Sequence, residues 1–228
     1  MNAPTDVGHA IAAAARTISR AQDLDETLQT IVEVARDSVP GFDQVGIWTL
    51  QKNGDVQTRA ATGDLVYRLD DVQHDLDEGP CMETLRGAGV VTAPRIRHDQ
   101  RWPRFVPQAV AHGLRSQLAV RLFLDGERTM GSINFYSTTS EEVHPDAEAI
   151  ADLFAAHAAI ALGHARERET LNEALQSRKV IGQAIGLLME RYEMNEDRAF
   201  AFLVRASSHS NIKLRAIAQE LVDQANAR

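Results

Sequence analysis

The chain is poor in the residues that support redox, metal or membrane functions. It contains a single cysteine, Cys81, among 228 residues, which excludes an intramolecular disulfide and any metal site built from cysteines alone. Its longest apolar run, 153–162, is interrupted by His157 and is far shorter than the roughly 20 residues that cross a bilayer. The N-terminus lacks the basic start and apolar core of a secretory signal. We therefore expect a cytoplasmic protein without a membrane-spanning segment.

Side chains that could carry catalysis are scattered. The eight histidines show no i, i+4 pair, the spacing that binds a metal on a helix, and no glycine-rich phosphate loop is present. Asp70-Asp71 resembles the acidic pair of phosphoacceptor receiver domains, but the parallel βαβ repeat of those domains is missing. Cys81 has no second thiol to resolve a disulfide intermediate, so we interpret it as a buried structural residue. We expect neither an enzyme nor a metal site.

Charge is distributed unevenly along the chain. Residues 1–170 hold 16 Lys/Arg against 25 Asp/Glu, a balance of −9, whereas residues 171–228 hold 8 against 7, a balance of +1. The acidic part should not attract polyanions. The last quarter is nearly neutral, so it could bind a nucleic acid only through local clustering of its basic side chains.

Helical periodicity is found at the start of the chain and again at the end of its first domain. Two helical patterns follow the polar start, and Pro40-Gly41 ends the second of them. Apolar residues of this second helix recur at spacings of three and four: Leu24, Leu28, Ile31, Val32, Ala35 and Val39. A long helix begins near Pro145, and its simplest interpretation is one helix that enters the second domain, although Gly163 permits a small break.

Between these helices the pattern alternates strands, turns and short helices. Alternation and turn signals predict five strands: 44–50, 56–61, 90–93, 117–124 and 130–136. Turns are expected at 52–55 and 125–128, and short helices at 82–86 and 103–112. Residues 64–80 are acidic and indicate a variable, partly helical connection. The pattern is typical of an α+β domain, an antiparallel sheet flanked by helices.

Three motifs in this region carry a family resemblance. They are Glu78-Gly79-Pro80-Cys81, Arg101-Trp102-Pro103-Arg104-Phe105 and Gly131-Ser132-Ile133-Asn134-Phe135-Tyr136-Ser137. Over roughly residues 8–162 the chain resembles a GAF domain, a small-molecule sensory fold, of the kind attached to ANTAR modules in actinobacteria. The resemblance implies a sensor with an unidentified small-molecule ligand and no expected cofactor.

The last quarter has the pattern of three short amphipathic helices. Asn195 is a plausible N-cap of the second helix, and its buried stripe is predicted to be Ala199, Phe200 and Leu203. Residues 207–211 form a polar loop whose last residue, Asn211, can cap the third helix. The apolar face of the first helix is Leu171, Leu175, Ile181, Ala184, Ile185 and Leu188, and that of the third is Leu214, Ile217, Ala218, Leu221 and Val222.

This segment resembles the ANTAR domain, a three-helix RNA-binding module of bacterial transcription antitermination regulators. The resemblance rests on residues 177–191, 199–205 and 211–218. It implies a pair of short RNA stem-loops as the target, whose capture prevents a terminator hairpin from forming. Many family members have a lysine where this chain has Ile185, so one basic contact is missing here, or Ile185 contributes to the core or a dimer.

A set of polar residues is the candidate RNA-binding surface. Its basic members suit phosphates, and its asparagine and serine suit exposed base edges. Taken singly, each could be an ordinary solvated charge or cap. The set is Arg178, Lys179, Arg205, Ser207, Asn211, Lys213 and Arg215. The aromatic residues Tyr192, Phe200 and Phe202 could stack on bases, but packing in the core or between domains is favoured for all three.

These observations define one expected organisation and two alternatives. We expect an α+β, GAF-like sensory domain (1–162), a helical connector (163–176) and an all-α, ANTAR-like RNA-binding domain (171–226). The connector and the two-hairpin target favour a homodimer. In one alternative, the chain is a dimeric ligand sensor whose C-terminal helices mediate only protein contacts. In the other, which is least favoured, the GAF-like domain is an enzyme or cofactor domain.

Overall fold

The computed structural model describes residues 23–51, 54–124 and 129–226. Packing divides the chain into two compact units, Met1–Ala165 and Arg166–Arg228. The first of the two predicted N-terminal helices and the predicted turn at 125–128 lie outside the described residues.

The first unit is an antiparallel sheet flanked by helices. Its strands are β1 (Gln44–Leu50), β2 (Val56–Ala61), β3 (Val90–Ala93), β4 (Ser116–Phe123) and β5 (Thr129–Ser137). Its helices are α1 (Leu24–Ser38), α2 (Asp64–Leu76), α3 (Pro80–Leu85), α4 (Phe105–Ala111) and the start of α5 (Ala147–Tyr192). The predicted α+β class and the five strands are confirmed.

The strand order is β2-β1-β5-β4-β3 with antiparallel pairing throughout. The long hairpin of β4 and β5 therefore occupies the middle of the sheet. Register places Trp48 opposite Ser132 and Ser132 opposite Arg121. Since alternate residues of a strand point to opposite faces, even-numbered positions of β5 share one face with odd-numbered positions of β4.

Each face of the sheet has its own core. One core joins α1 and the first part of α5 to the face that carries Ile47, Leu118 and Phe135. The predicted stripe of α1 lies here, with Leu28, Ile31, Val32 and Ala35 fully buried. Asp23 caps α1, because its carboxylate accepts a hydrogen bond from the Glu26 backbone N–H at 2.8 Å. The second core joins α2, α3 and α4 to the opposite face.

The predicted connection at 64–80 is instead largely a regular helix, α2. Val66 and Leu69 are fully buried on one side of it, and the polar residues Asp70 and Gln73 are buried beside them. The acidic composition concealed this helix, because half of its buried face is polar. It ends at Asp77, which adopts a left-handed conformation with φ 53°.

The second unit contains the C-terminal part of α5 together with α6 (Glu196–Ser210) and α7 (Leu214–Asn226). The apolar faces of the three helices meet in one small core. Its buried members are Val180, Ala184, Leu188, Ala199, Leu203, Ala218 and Val222. Asn195 caps α6 as predicted, because its side chain accepts a hydrogen bond from the Arg198 backbone N–H at 3.0 Å.

Two residues of the predicted apolar face of α5 lie outside the core of this unit. Leu171 and Leu175 are 61% and 54% exposed, because α6 and α7 cover α5 only from about Val180 onward. Gly163 causes no break, since α5 is continuous from Ala147 to Tyr192.

Candidate functional sites: a buried polar cluster and an exposed basic end

The first two motifs of the sensor-like unit bind each other. The Glu78 carboxylate accepts hydrogen bonds from Arg104 Nε at 2.7 Å and from the backbone N–H groups of Arg104 and Phe105 at 2.8 and 3.1 Å. The Arg104 side-chain hydrogen bond is the main reason that the pKa of Glu78 is lowered. Trp102 Nε1 also donates to Glu83 Oε1 at 2.9 Å. The motifs therefore fix α3 and α4 over the sheet.

Gly79 connects these motifs to a buried polar group. Its φ of 122° is a conformation that favours glycine, and a Cβ there would lie 2.4 Å from Gln73 Oε1. The same Gln73 oxygen accepts a hydrogen bond from the Cys81 backbone N–H at 3.0 Å. A glycine at this position thus allows Gln73 to approach and hold the start of α3.

Beneath the motifs lies a buried polar cluster, which consists of Asp70, Gln73, Cys81, Gln117 and Tyr136. Tyr136 donates its hydroxyl hydrogen to Asp70 Oδ1. Gln117 Nε2 donates to Cys81 Sγ at 3.1 Å, and Cys81 Sγ lies 3.5 Å from the Tyr136 hydroxyl. The cluster therefore links α2, α3, β4 and β5 by hydrogen bonds, in addition to the apolar contacts of the second core.

Burial determines the ionisation of this cluster. Asp70 is 2% exposed, and burial raises its pKa to about 7, although hydrogen bonds from Tyr136 and from Thr58 (2.7 Å) oppose the increase. Burial also raises the pKa of Cys81 and of Tyr136 well above their ordinary values. The thiol and the phenol are therefore neutral near pH 7, while Asp70 titrates there.

Next to the cluster, the same face of the sheet presents polar atoms that have no hydrogen-bond partner among the described residues. Among them are both amide atoms of Asn134, Ser132 Oγ, Gln117 Oε1 and Arg121 Nε. Ser132 and Arg121 are cross-strand partners, and Asn134 is flanked on the neighbouring strands by Gly46 and Ala119. Buried polar atoms normally have partners, so this polar patch marks where a polar molecule could be bound.

The chemistry of the cluster fits binding better than reaction. The single thiol is fully buried, and its raised pKa leaves little thiolate, the nucleophilic form. The prediction that Cys81 is a buried residue is confirmed. Within the described parts of the chain, no group of three or more histidine, cysteine or acidic side chains is placed to hold a metal.

In the second unit, the predicted RNA-contacting residues are distributed over all three helices and the turn that joins α6 to α7. Arg178 and Lys179 are on α5, Arg205 and Ser207 on the last turns of α6, and Lys213 and Arg215 at the start of α7. The five basic side chains are exposed, and none forms an ion pair with another described residue. They are free to meet a polyanion.

Ser207 and Asn211 have structural roles that the sequence did not reveal. The predicted loop at 207–211 is wrong for all but its last residue, because 207–210 form the last turn of α6. Asn211 does not cap α7; it ends α6 in a left-handed conformation with φ 55°. Ser207 Oγ donates to the Ile212 carbonyl at 2.6 Å, which fixes the turn that presents Lys213.

The helix directions bring the seven residues to one end of the unit. The turn between α5 and α6 is only 193–195, and one core holds both the 180–188 part of α5 and Ala199 and Leu203 of α6, so α6 folds back along α5. Arg178 and Ser210 are each about 21 Å from that turn at 1.5 Å per residue. Leu188 and Arg191 share a small surface pocket with Leu221 and Ala225 near the end of α7. The start of α7 therefore lies at the Arg178 end, which we call the basic end.

The aromatic residues are more exposed than predicted. Phe200 is 45% exposed, Phe202 42% and Tyr192 58%, so the predicted burial of Phe200 is wrong. Phe202 and Tyr192 lie outside the core of this unit, and packing between domains stays a prediction for these two. Ala199 and Leu203 form the contact surface of α6, and Phe200 and Phe202 lie at the two edges of this surface. Ile185 is half-buried and packs on the core of the unit, so it contributes apolar contact there.

Each of the two units matches a known domain family. The GAF-domain model matches residues 21–163, and the ANTAR-domain model matches residues 169–222. The chain therefore belongs to the GAF-domain family and carries a C-terminal ANTAR domain. Among curated proteins, no sequence matches the chain.

Solved structures confirm the fold of the first domain. The GAF domain of a phosphoenolpyruvate-protein phosphotransferase from Coxiella burnetii is 16% identical with a TM-score of 0.60, covering 75% of this chain and 99% of its own. The corresponding Acinetobacter domain is 15% identical with a TM-score of 0.57, covering 72% and 97%. Free methionine-R-sulfoxide reductase from Neisseria meningitidis is 16% identical with a TM-score of 0.56, covering 71% and 91%. At these identities the likeness concerns the fold alone.

Across residues 23–51, 54–124 and 129–226, no helix has both the length and the apolar character needed to span a bilayer.

Proposed function

We propose that the chain is an RNA-binding transcription antitermination regulator, in which the GAF domain controls the ANTAR domain. The observation that carries the proposal is the basic end of the ANTAR domain. It gathers Arg178, Lys179, Arg205, Lys213 and Arg215 in exposed positions without described ion pairs. Free guanidinium and ammonium groups of this density suit a phosphate backbone even though the domain is nearly neutral overall.

RNA binding would divide the work between two kinds of side chain. The five basic residues would neutralise phosphates, while Asn211 would offer its amide to base edges in an unpaired loop. Ser207 would hold the turn through Ile212, and its oxygen would remain able to accept a hydrogen bond. Capture of two stem-loops would keep the transcript from forming a terminator hairpin.

The sensory step is proposed to occur at the polar patch of the GAF domain. Asn134 and Ser132 offer both donors and acceptors, Gln117 an acceptor and Arg121 a donor. A small polar molecule with groups of both kinds would satisfy them. Native mass spectrometry of the purified protein, compared with an Asn134→Leu variant, tests this step: a bound small molecule present only in the wild type supports it.

A homodimer and a helical connector at 163–176 complete the proposal. Leu171 and Leu175 are exposed on α5 and lie four residues apart, on one face of the helix. Pairing of this short face between two chains would bring two ANTAR domains to one RNA with two hairpins. Sedimentation of the wild type and of a Leu171→Ser/Leu175→Ser variant measures whether this face holds the dimer.

Charge reversal tests the RNA-binding claim itself. An Arg205→Glu/Lys213→Glu variant should bind a two-hairpin RNA at least roughly tenfold more weakly at 0.1 M salt. The slope of log affinity against log salt concentration should become shallower by roughly 0.7 for each lost phosphate contact. Arg68→Glu is the matched control, because Arg68 is an exposed arginine of α2 in the other domain. Equal binding by all three proteins would contradict the proposal.

The exposed apolar residues of α6 favour one alternative, in which the C-terminal helices serve only protein contacts. Phe200 and Val204 are 45% and 40% exposed and adjacent on one helix face. A dimer that forms normally while RNA binding is absent in every salt condition would support this alternative over RNA regulation.

A further inference from the structure

Four exposed side chains form a stripe along α6. Arg198, Phe202, Arg205 and His209 follow the spacing i, i+4, i+7, i+11, which places them within about 60° of one another around a helix of 3.6 residues per turn. All four are exposed, and Phe202 is 42% exposed. We call this set the α6 stripe.

The α6 stripe is separate from the packing surface and from the acidic residues of its helix. Ala199 and Leu203, which are fully buried, point about 110° away from the stripe at 100° per residue. Glu196 and Asp197, in the first turn of α6, point about 150° and 110° away. In the parts of the chain that the structure describes, neither stripe arginine forms an ion pair. Within α6, the stripe is therefore a basic surface that contains an aromatic ring and no acidic side chain.

We propose that the α6 stripe binds unpaired loop bases of RNA, with a base stacked on Phe202 and phosphates held by Arg198 and Arg205. This inference rests on the proposed function and extends its surface from the basic end along α6. An exposed ring flanked by guanidinium groups offers the two attractions that single strands require, stacking and phosphate neutralisation. The positive charge selects a polyanion over an apolar protein surface, which would fit Phe200 and Val204 instead.

His209 extends the surface toward the basic end. Its imidazole is exposed near the last turn of α6, within two residues of Asn211. A flat ring at this point can stack on a second unpaired base or donate a hydrogen bond to a phosphate. The stripe thus forms a continuous surface from Arg198 to the side-chain amide of Asn211, which is proposed to contact base edges.

Phe200 provides a matched control for Phe202. The two rings are on the same helix, are 45% and 42% exposed, and point about 160° apart. The test uses the full chain and a pool of two-hairpin RNAs with randomised loops, enriched for binding to the wild type. Affinities are then measured for the wild type, Phe202→Ala, Phe202→Trp, Phe200→Ala and Arg198→Gln, with circular dichroism to verify folding.

We expect Phe202→Ala to weaken binding by roughly 5- to 100-fold, Phe202→Trp to restore it, and Phe200→Ala to change it by less than about twofold. On the same RNA with abasic loops, Phe202→Ala should bind as the wild type does, because no base is left to stack. Arg198→Gln should make the slope of log affinity against log salt concentration shallower by roughly 0.7, the value for one lost phosphate contact.

The outcomes separate this inference from the proposed function. If the wild type enriches no RNA, both are overturned. If the Arg205→Glu/Lys213→Glu variant loses binding but Phe202→Ala and Phe200→Ala do not differ, only the α6 stripe is overturned. If Phe202→Ala dissociates a dimer in sedimentation and leaves RNA affinity unchanged, the stripe is a protein contact and the inference is wrong.

Discussion

The buried carboxyl group of Asp70 makes a quantitative prediction about stability and pH. In the folded GAF domain its pKa is about 7, against an ordinary value of 3.8, chiefly because of burial. Between these two values the unfolded chain is ionised while the folded chain still holds the proton. The folded state then binds more protons, so the free energy of unfolding falls as pH rises from about 4 to 7 and levels off above 7.

The Asp70→Asn variant removes this titration with little change in shape. An amide oxygen can still accept the Tyr136 hydroxyl hydrogen, and its NH₂ group can donate to Thr58. At about 1.4 kcal/mol per pKa unit, the wild type should lose on the order of 2–3 kcal/mol relative to the variant between pH 5 and pH 8. The pKa values of Cys81 and Tyr136 are raised, so both groups stay neutral throughout this range.

Tryptophan fluorescence reports on unfolding of the GAF domain alone. The chain has two tryptophans, Trp48 and Trp102, and both are buried in the GAF domain. Urea unfolding of the full chain, followed by their emission at pH 5, 6, 7 and 8, gives the difference in unfolding free energy at each pH. Groups distant from Asp70 cancel in this difference. A difference that stays constant from pH 5 to pH 8, or that favours the wild type as pH rises, would refute the reasoning.

Three further predictions concern the motifs. Cys81 should react with a thiol reagent only at the rate at which the GAF domain opens, because its thiol is fully buried; rapid labelling of the folded protein would contradict this. Glu78→Gln should destabilise the GAF domain in urea, since the negative charge of an acceptor of three hydrogen bonds is lost, and Arg104→Gln, which leaves the two backbone hydrogen bonds in place, should destabilise it no more than Glu78→Gln does. Gly131→Ala should yield little folded protein by circular dichroism, because its Cβ would lie 1.9 Å from the Trp48 carbonyl oxygen.

Much of the sheet was predictable because its signals are local. Alternation within strands such as 44–50 and 56–61 fixed their extent to the residue. The stripe of α1 follows from helical spacing alone. By contrast, α2 was missed as a regular helix because Asp70 and Gln73 occupy part of its buried face. The contacts that justify them, with Tyr136 and Cys81, join residues that are distant in the chain.

The ANTAR domain shows a second limit of sequence reasoning. Helical periodicity predicted the three helices. Their shared core, however, buries small residues such as Ala184, Ala199 and Ala218 and leaves several large apolar side chains exposed. Phe200, which the spacing places in the buried stripe of α6, is one of the large side chains left outside. Ser207 and Asn211 were identified as candidate contacts, but their roles in the turn depend on Ile212 and on backbone angles that composition does not encode.

The proposed recognition of exposed RNA loops by the ANTAR domain is tested most directly by one titration. Fluorescence anisotropy would follow the full chain binding to a labelled two-hairpin RNA, enriched on the wild type, and to the same RNA with abasic loops, from 0.05 to 0.3 M salt. The account predicts tighter binding to the intact loops at every salt concentration and affinity that falls steadily as salt increases. Equal affinity for both RNAs, or affinity that does not respond to salt, would contradict it.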